Sequence, residues 1–103
     1  MPTYRLVVTS EAELDLAEGH SWYEEQAGLG YEFMSAVDSQ FEFIESQPLA
    51  CLAVAHGIRR SVIKRFPYIV YYAISGEIID ILAVWHGSRN QEQLLISRLG
   101  IGQ

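Results

Sequence analysis

Cysteine is nearly absent. Cys51 is the one thiol in 103 residues, so no disulfide can close within the chain. That usage suits a reducing compartment. Long apolar runs are missing too: none approaches the roughly 20 residues that span a bilayer. The opening MPTYRLVVTS has neither the apolar h-region nor the small-residue cleavage site of a secretory leader. Positive charge is scarce, with 7 Lys and Arg against 13 Asp and Glu and a net charge of -6. Non-specific nucleic-acid binding rests on a basic footprint, and this balance argues against it. A cytoplasmic protein is expected, with no membrane association and no direct sequence-specific contact to nucleic acid. His20, His56 and His86 lie far apart, and neither HxxxH nor CxxC spacing occurs. A Gly-rich phosphate loop after a strand and a serine-nucleophile motif are likewise missing. No metal, cofactor or catalytic residue is therefore assigned.

What is present is the profile of one folded domain over residues 1–103, with 50% hydrophobic and 19% charged residues. Tyr4–Thr9, YRLVVT, is β-branched and apolar and reads as a strand. Ser10 with Glu13 has capping-box spacing, which predicts a helix start. Ala12, Leu16, Gly19 and Tyr23 then recur at helical period, with Glu11, Glu18 and Glu25 off that stripe. After the turn at Gly28–Gly30, Leu29, Phe33, Ala36, Val37, Phe41 and Ile44 mark a second helix ending before Pro48. So short a link makes the two an antiparallel hairpin. PLACLAVAHG is a connection with Cys51 and Leu52 expected to be buried.

After Gly57 the period changes to that of strands: Ile58–Phe66, Tyr68–Ile74 and Ile78–His86, with SGE as a hairpin turn and Pro67 at a bend. The terminal RNQEQLLISRLG adds a short helix or stays frayed. The fold class is α+β: a small, mostly antiparallel sheet in the order β-α-α-β-β-β, with the helical hairpin on one face. Strict alternation puts Val70, Tyr72, Ile74, Ile79, Ile81, Ala83 and Trp85 on the hairpin face. Phe33, Val37, Phe41, Tyr72, Ile74 and Trp85 are the expected interior. Ile69, Tyr71, Leu82 and Val84 fall on the other face. One hairpin covers one face, so the second calls for a partner, a second copy, or a returning C-terminal segment.

Charge is divided along the chain. Residues 1–50 hold ten acids and one base, residues 51–103 six bases and three acids. The basic set Arg59, Arg60, Lys64, Arg65 and Arg89, with His86, either pairs with the protein's own acids or, at Arg59 and Arg65, binds an acidic partner peptide or a phosphate backbone.

YRLVVTSEAELDL, WYEEQAGLGYEF, GIRRSVIKRFPYIVYY and ILAVWHGSRN, in that order from about Tyr4 to Asn90, together resemble the ParE branch of the RelE/ParE toxin superfamily. The resemblance implies the toxin half of a type II toxin–antitoxin (plasmid stabilisation) pair, with the same small sheet and N-terminal hairpin. It implies a cognate antitoxin that lies along the toxin, its apolar segment over Ile69, Tyr71, Leu82 and Val84. Arg59, Arg60, Lys64, Arg65, His86 and Arg89 then form a docking edge for the antitoxin or the target. ParE-type members poison DNA gyrase; RelE-type relatives cleave mRNA on the ribosome. Ile69 stands where nuclease members tend to carry arginine, and no C-terminal tyrosine follows His86-Gly87-Ser88-Arg89. The gyrase reading leads. The endonuclease, an inactive relic serving as a binding module, and a homodimer of the free chain stay open.

Overall fold

A computed structural model describes residues 3–98 and 100. The elements run β1 (Arg5–Val8), α1 (Ser10–Ala27), α2 (Gly30–Ser46), β2 (Ala53–Ala55), β3 (Ile58–Val62), β4 (Tyr68–Ser75), β5 (Ile78–His86) and α3 (Gln91–Ser97). The five strands form one sheet in the order β1-β5-β4-β3-β2. Only β1 runs parallel to its neighbour, β5; the other pairings are antiparallel. The α+β architecture with a helical hairpin on one face is as the sequence leads one to expect.

The helix start lies one residue earlier than the capping-box reading. Thr9 is the N-cap, its Oγ1 accepting from the Ala12 N–H at 3.3 Å and donating to the Ile81 carbonyl at 2.8 Å. One hydroxyl thus caps α1 and ties it to β5. Gly28 closes α1 with a positive φ of 68°, which an L side chain resists. Leu29 alone then separates the cap from α2, and the two helices fold back on each other. They pack closely at Gly19, where an added Cβ would come within 2.7 Å of the Phe33 ring. Phe33 fills that gap.

The hairpin and the sheet enclose Ala12, Leu16, Phe33, Val37, Ile44, Ile63, Phe66, Val70, Tyr72, Ile79, Ile81 and Val84. Phe41 and Ile74 pack at the margin of this core. Tyr72 is fully buried, and its hydroxyl donates to the Pro48 carbonyl at 2.7 Å. Burial first, then a hydrogen bond to Cys51, raises its pKa far above the ordinary tyrosine range.

Three expectations are corrected by the sheet. Ala83 and Trp85 do not lie between hairpin and sheet, and Val84 does not lie on the opposite face; the two sides are exchanged. The cause is a bulge. Ile79 pairs with Ile74 and Ile81 with Tyr72, but Ala83 pairs with Tyr71 and Trp85 with Ile69. Leu82 is the extra residue, and one inserted residue reverses every side chain beyond it. Val84 is therefore 1% exposed in the main core, and Trp85 is 4% exposed on the second face.

The other departures are local. The strand from Ile58 ends at Val62 rather than Phe66, because residues 63–67 turn. The 47–57 connection holds the short edge strand β2, which reaches β3 through a two-residue turn at His56-Gly57. Leu52, expected inside, is 74% exposed, and Cys51 is half-buried. The C-terminal segment does form a helix, α3, capped by Asn90 through the Glu92 and Gln93 N–H groups.

Candidate functional site

The end of β1 creates a problem at the sheet edge that side chains solve. Strand β1 pairs with β5 only as far as Ile81, so the edge of Leu82–Val84 has no strand beside it. Asp15, on the inner stripe of α1, accepts the Val84 N–H at 3.0 Å. Arg98, just beyond α3, grips the same carboxylate with both Nη atoms at 2.6 and 3.2 Å. Its Nη1 also approaches the Leu82 carbonyl at 3.4 Å. An acid and a base thus supply the acceptor and donor that a neighbouring strand would have brought. The sequence reading missed Asp15 and Arg98. Asp15 had a visible signal: it falls on the Ala12–Leu16–Gly19 stripe, where a lone carboxylate needs a partner.

The second sheet face carries Ile58, Ile69, Tyr71, Ala83 and Trp85, with Leu94 of α3 laid over them. Val54, Leu82 and Leu95 pack at its margin. Arg60 pairs in register with Tyr71 on this face, and its charge opposes the rise that burial causes in the tyrosine's pKa. Two buried donors here, Arg60 Nε and Trp85 Nε1, have no hydrogen-bond acceptor. The Arg89 guanidinium stacks 3.4 Å from the centre of the Trp85 ring, and that of Arg98 stands at 5.4 Å. Val62, on the same face at the end of β3, is 59% exposed.

The basic residues do not form one edge. Arg60 and Arg89 belong to the second face. Arg59 turns toward the hairpin side, donating to the carbonyls of Cys51 at 2.6 Å and Leu49 at 3.4 Å, and so secures the connection before β2. Lys64 and Arg65 lie exposed in the turn after β3, beside Ser35, Ala36, Ser39 and Gln40 of α2. Among the described residues, the one ion pair is Arg98 with Asp15, so none of the five predicted bases pairs with an acid. The face therefore brings together Arg60, Ile69, Tyr71, Leu82 and Arg89. It excludes Arg59, Lys64, Arg65 and Val84.

His86 ends β5 opposite Tyr68, the two rings meeting edge-on at 5.3 Å. Its Nδ1 accepts the Ser88 N–H at 3.1 Å, so the neutral ring carries its proton on Nε2. Here a cleft of about 520 Å³ opens between α1 and the end of the sheet, lined by Glu18, Trp22, Tyr23, Pro67, Tyr68, His86 and Ser88. Burial, then Tyr23 and Glu18, holds the Tyr68 pKa above the usual tyrosine value. Among the described residues no helix is long and apolar enough to cross a membrane, and no three metal-binding side chains converge.

Residues 6–91 match the family model described as the ParE toxin of the type II toxin–antitoxin system parDE. The chain is 34% identical over 90 residues to Toxin ParE2 of Mycobacterium tuberculosis, in each of two strains, covering 85% of this chain and 86% of the relative. In shape it is similar to a chain of the chromosomal ParDE toxin–antitoxin system from P. aeruginosa. The TM-score is 0.65 at 20% identity, covering 84% of this chain and 98% of that one. A family model over most of its length and a relative above a third identical agree: the chain belongs to the ParE toxin family of type II toxin–antitoxin systems.

Proposed function

We propose that residues 1–103 act as a single toxin domain in the cytoplasm, with DNA gyrase as target, and that the second sheet face seats the family's antitoxin partner. The observation that carries the seat is the pair of buried, unpaired donors on that face, Arg60 Nε and Trp85 Nε1. Each costs about 1–3 kcal/mol while it lacks an acceptor. Because α3 already covers Ile69 and Tyr71, the partner segment takes the place of α3 there. With apolar side chains for Ile69, Tyr71 and Leu82, and a carboxylate or free carbonyl for each donor, it removes that cost. Arg89 adds a charge at the same face, whereas Arg59 is already engaged within the chain. Val84 is no part of this seat, being buried beneath the hairpin.

The gyrase target rests on family membership and on what the surface disfavours. A ribosome-dependent nuclease must hold a phosphodiester and stabilise its developing negative charge. His86 and Tyr68 line two adjoining clefts. In the first the ionised wall is Glu18, which repels phosphate, and in the second Asp15 and Glu18 stand against the one guanidinium of that lining, Arg89. Arg89 is exposed and stacks on Trp85. Induction without the antitoxin tests the reading: growth should stop with loss of supercoiling while translation continues. Early loss of translation with cut mRNA would reverse it, and a harmless chain would favour the binding-module alternative. Sedimentation of the free protein checks whether the uncovered part of the same face pairs two copies.

A further inference from the structure

The cleft at the end of the sheet has a chemistry of its own, distinct from the second face. Trp22, Tyr23, Tyr68 and His86 form a continuous chain of rings, with centroid separations of 5.0, 6.0 and 5.3 Å between successive members. Pro67 completes the apolar wall, and the volume of about 520 Å³ exceeds a single side chain. Trp22 is 54% exposed, an unusual position for the largest apolar side chain of a surface helix. The single acid of this lining is Glu18, one helical turn before Trp22 on α1, and it has no ion-pair partner among the described residues. In the adjoining cleft Asp15 is already neutralised by Arg98, and the resident cation, Arg89, is held on the Trp85 ring, leaving Glu18 without an ion pair.

A ring-walled cavity with one free carboxylate favours a cation. The faces of tryptophan and tyrosine attract positive charge, and the carboxylate supplies a hydrogen-bonded counterion. A flat guanidinium suits both better than an ammonium, because it stacks on a ring while its edge meets the carboxylate. The surroundings point the same way: Glu11, Glu18 and Glu25 recur every seven residues along α1, so an approaching basic segment meets negative charge throughout. We infer that this cleft is a docking pocket for an arginine side chain of a protein partner, with Glu18 as its counterion and Trp22 as its stacking wall. The inference stands on the cleft alone and does not require the antitoxin to occupy the second face.

The test uses the full chain, labelled at its tryptophan and tyrosine rings, and the tripeptide acetyl-Gly-Arg-Gly-amide followed by NMR. Its counterpart with citrulline, the uncharged isostere of arginine, is the control. The Trp22 indole N–H and the Tyr68 ring should shift and saturate with the arginine peptide, while the citrulline peptide binds about ten-fold more weakly or worse. Glu18→Gln should weaken arginine binding by about ten-fold, and Trp22→Ala by about three- to ten-fold. Both side chains are exposed, and unchanged Tyr72 and Trp85 signals would verify that each variant is folded. Absence of a saturable shift at Trp22 overturns the inference. So does equal binding of the two peptides, or an E18Q variant that binds arginine as the parent does.

Discussion

The two faces of this sheet are both apolar, yet they are covered in different ways. On the first, α1 and α2 together bury Phe33, Val37, Val70, Tyr72, Ile79 and Ile81, with the buried hydroxyls of Ser61 and Tyr72 satisfied by Gln40 and the Pro48 carbonyl. On the second, seven residues of α3 lie over Tyr71, Ala83 and Trp85 and leave two donors without acceptors. A helix that short has almost no stability apart from its docking. The first face therefore supplies the folding free energy. The second retains unmet hydrogen-bonding capacity, which is what a recognition surface needs.

The comparison breaks most visibly at Phe33. Phe33→Ala should destabilise the fold by about 3–5 kcal/mol in denaturant unfolding, as for any fully buried ring. Asp15→Ala comes next. It orphans the Val84 N–H and strips Arg98 of its partner, and a loss of about 2–3 kcal/mol is expected, below the range for a sealed pair because Arg98 keeps 21% exposure. Arg98→Ala should cost less, since Asp15 still accepts from the strand.

Leu94→Ala sharpens the contrast between faces. Although Leu94 is fully buried, its loss should release α3 locally rather than unfold the domain. Amide exchange should rise over residues 91–97, with about 1 kcal/mol or less lost from global stability. A global loss matching Phe33→Ala would mean that both faces belong to one core.

The smallest effect expected is with pH. The pKa of Tyr72 is raised in the folded chain, so its contribution is complete below the ordinary tyrosine value of about 10. It should decline as pH rises beyond that, when the unfolded chain ionises first. Unfolding followed from pH 9 to 11 should show this decline. It should be shallower in Tyr72→Phe, which also loses the bond to Pro48, with the remainder due to Tyr23, Tyr68 and Tyr71, whose pKa values burial also raises.

Most of the first face was legible because period carries it. The 3.6-residue stripes of α1 and α2 and the alternation in β4 depend only on which residues are apolar. What alternation could not carry was the bulge at Leu82. Nothing in ILAVWH distinguishes a regular strand from one with an extra residue, yet that residue moves Val84 inward and Trp85 outward. Of the proposed contact residues, Ile69 and Tyr71 lie on β4, which has no extra residue, and keep their face, whereas Val84 follows the extra residue in β5 and does not. The scatter of the bases has a similar cause. Placing Lys64 and Arg65 by strand alternation assumed a strand to Phe66, and the chain turns after Val62.

The central claim is that the antitoxin completes the second face by supplying what Trp85 and Arg60 lack. The indole N–H signals of the toxin, alone and with its cognate antitoxin, test it most directly. Two tryptophans give two such signals, and Trp22→Phe assigns them. On binding, the Trp85 indole N–H should move downfield and exchange more slowly as it gains an acceptor. A Trp85 signal unchanged in a tight complex would place the antitoxin elsewhere and contradict the account.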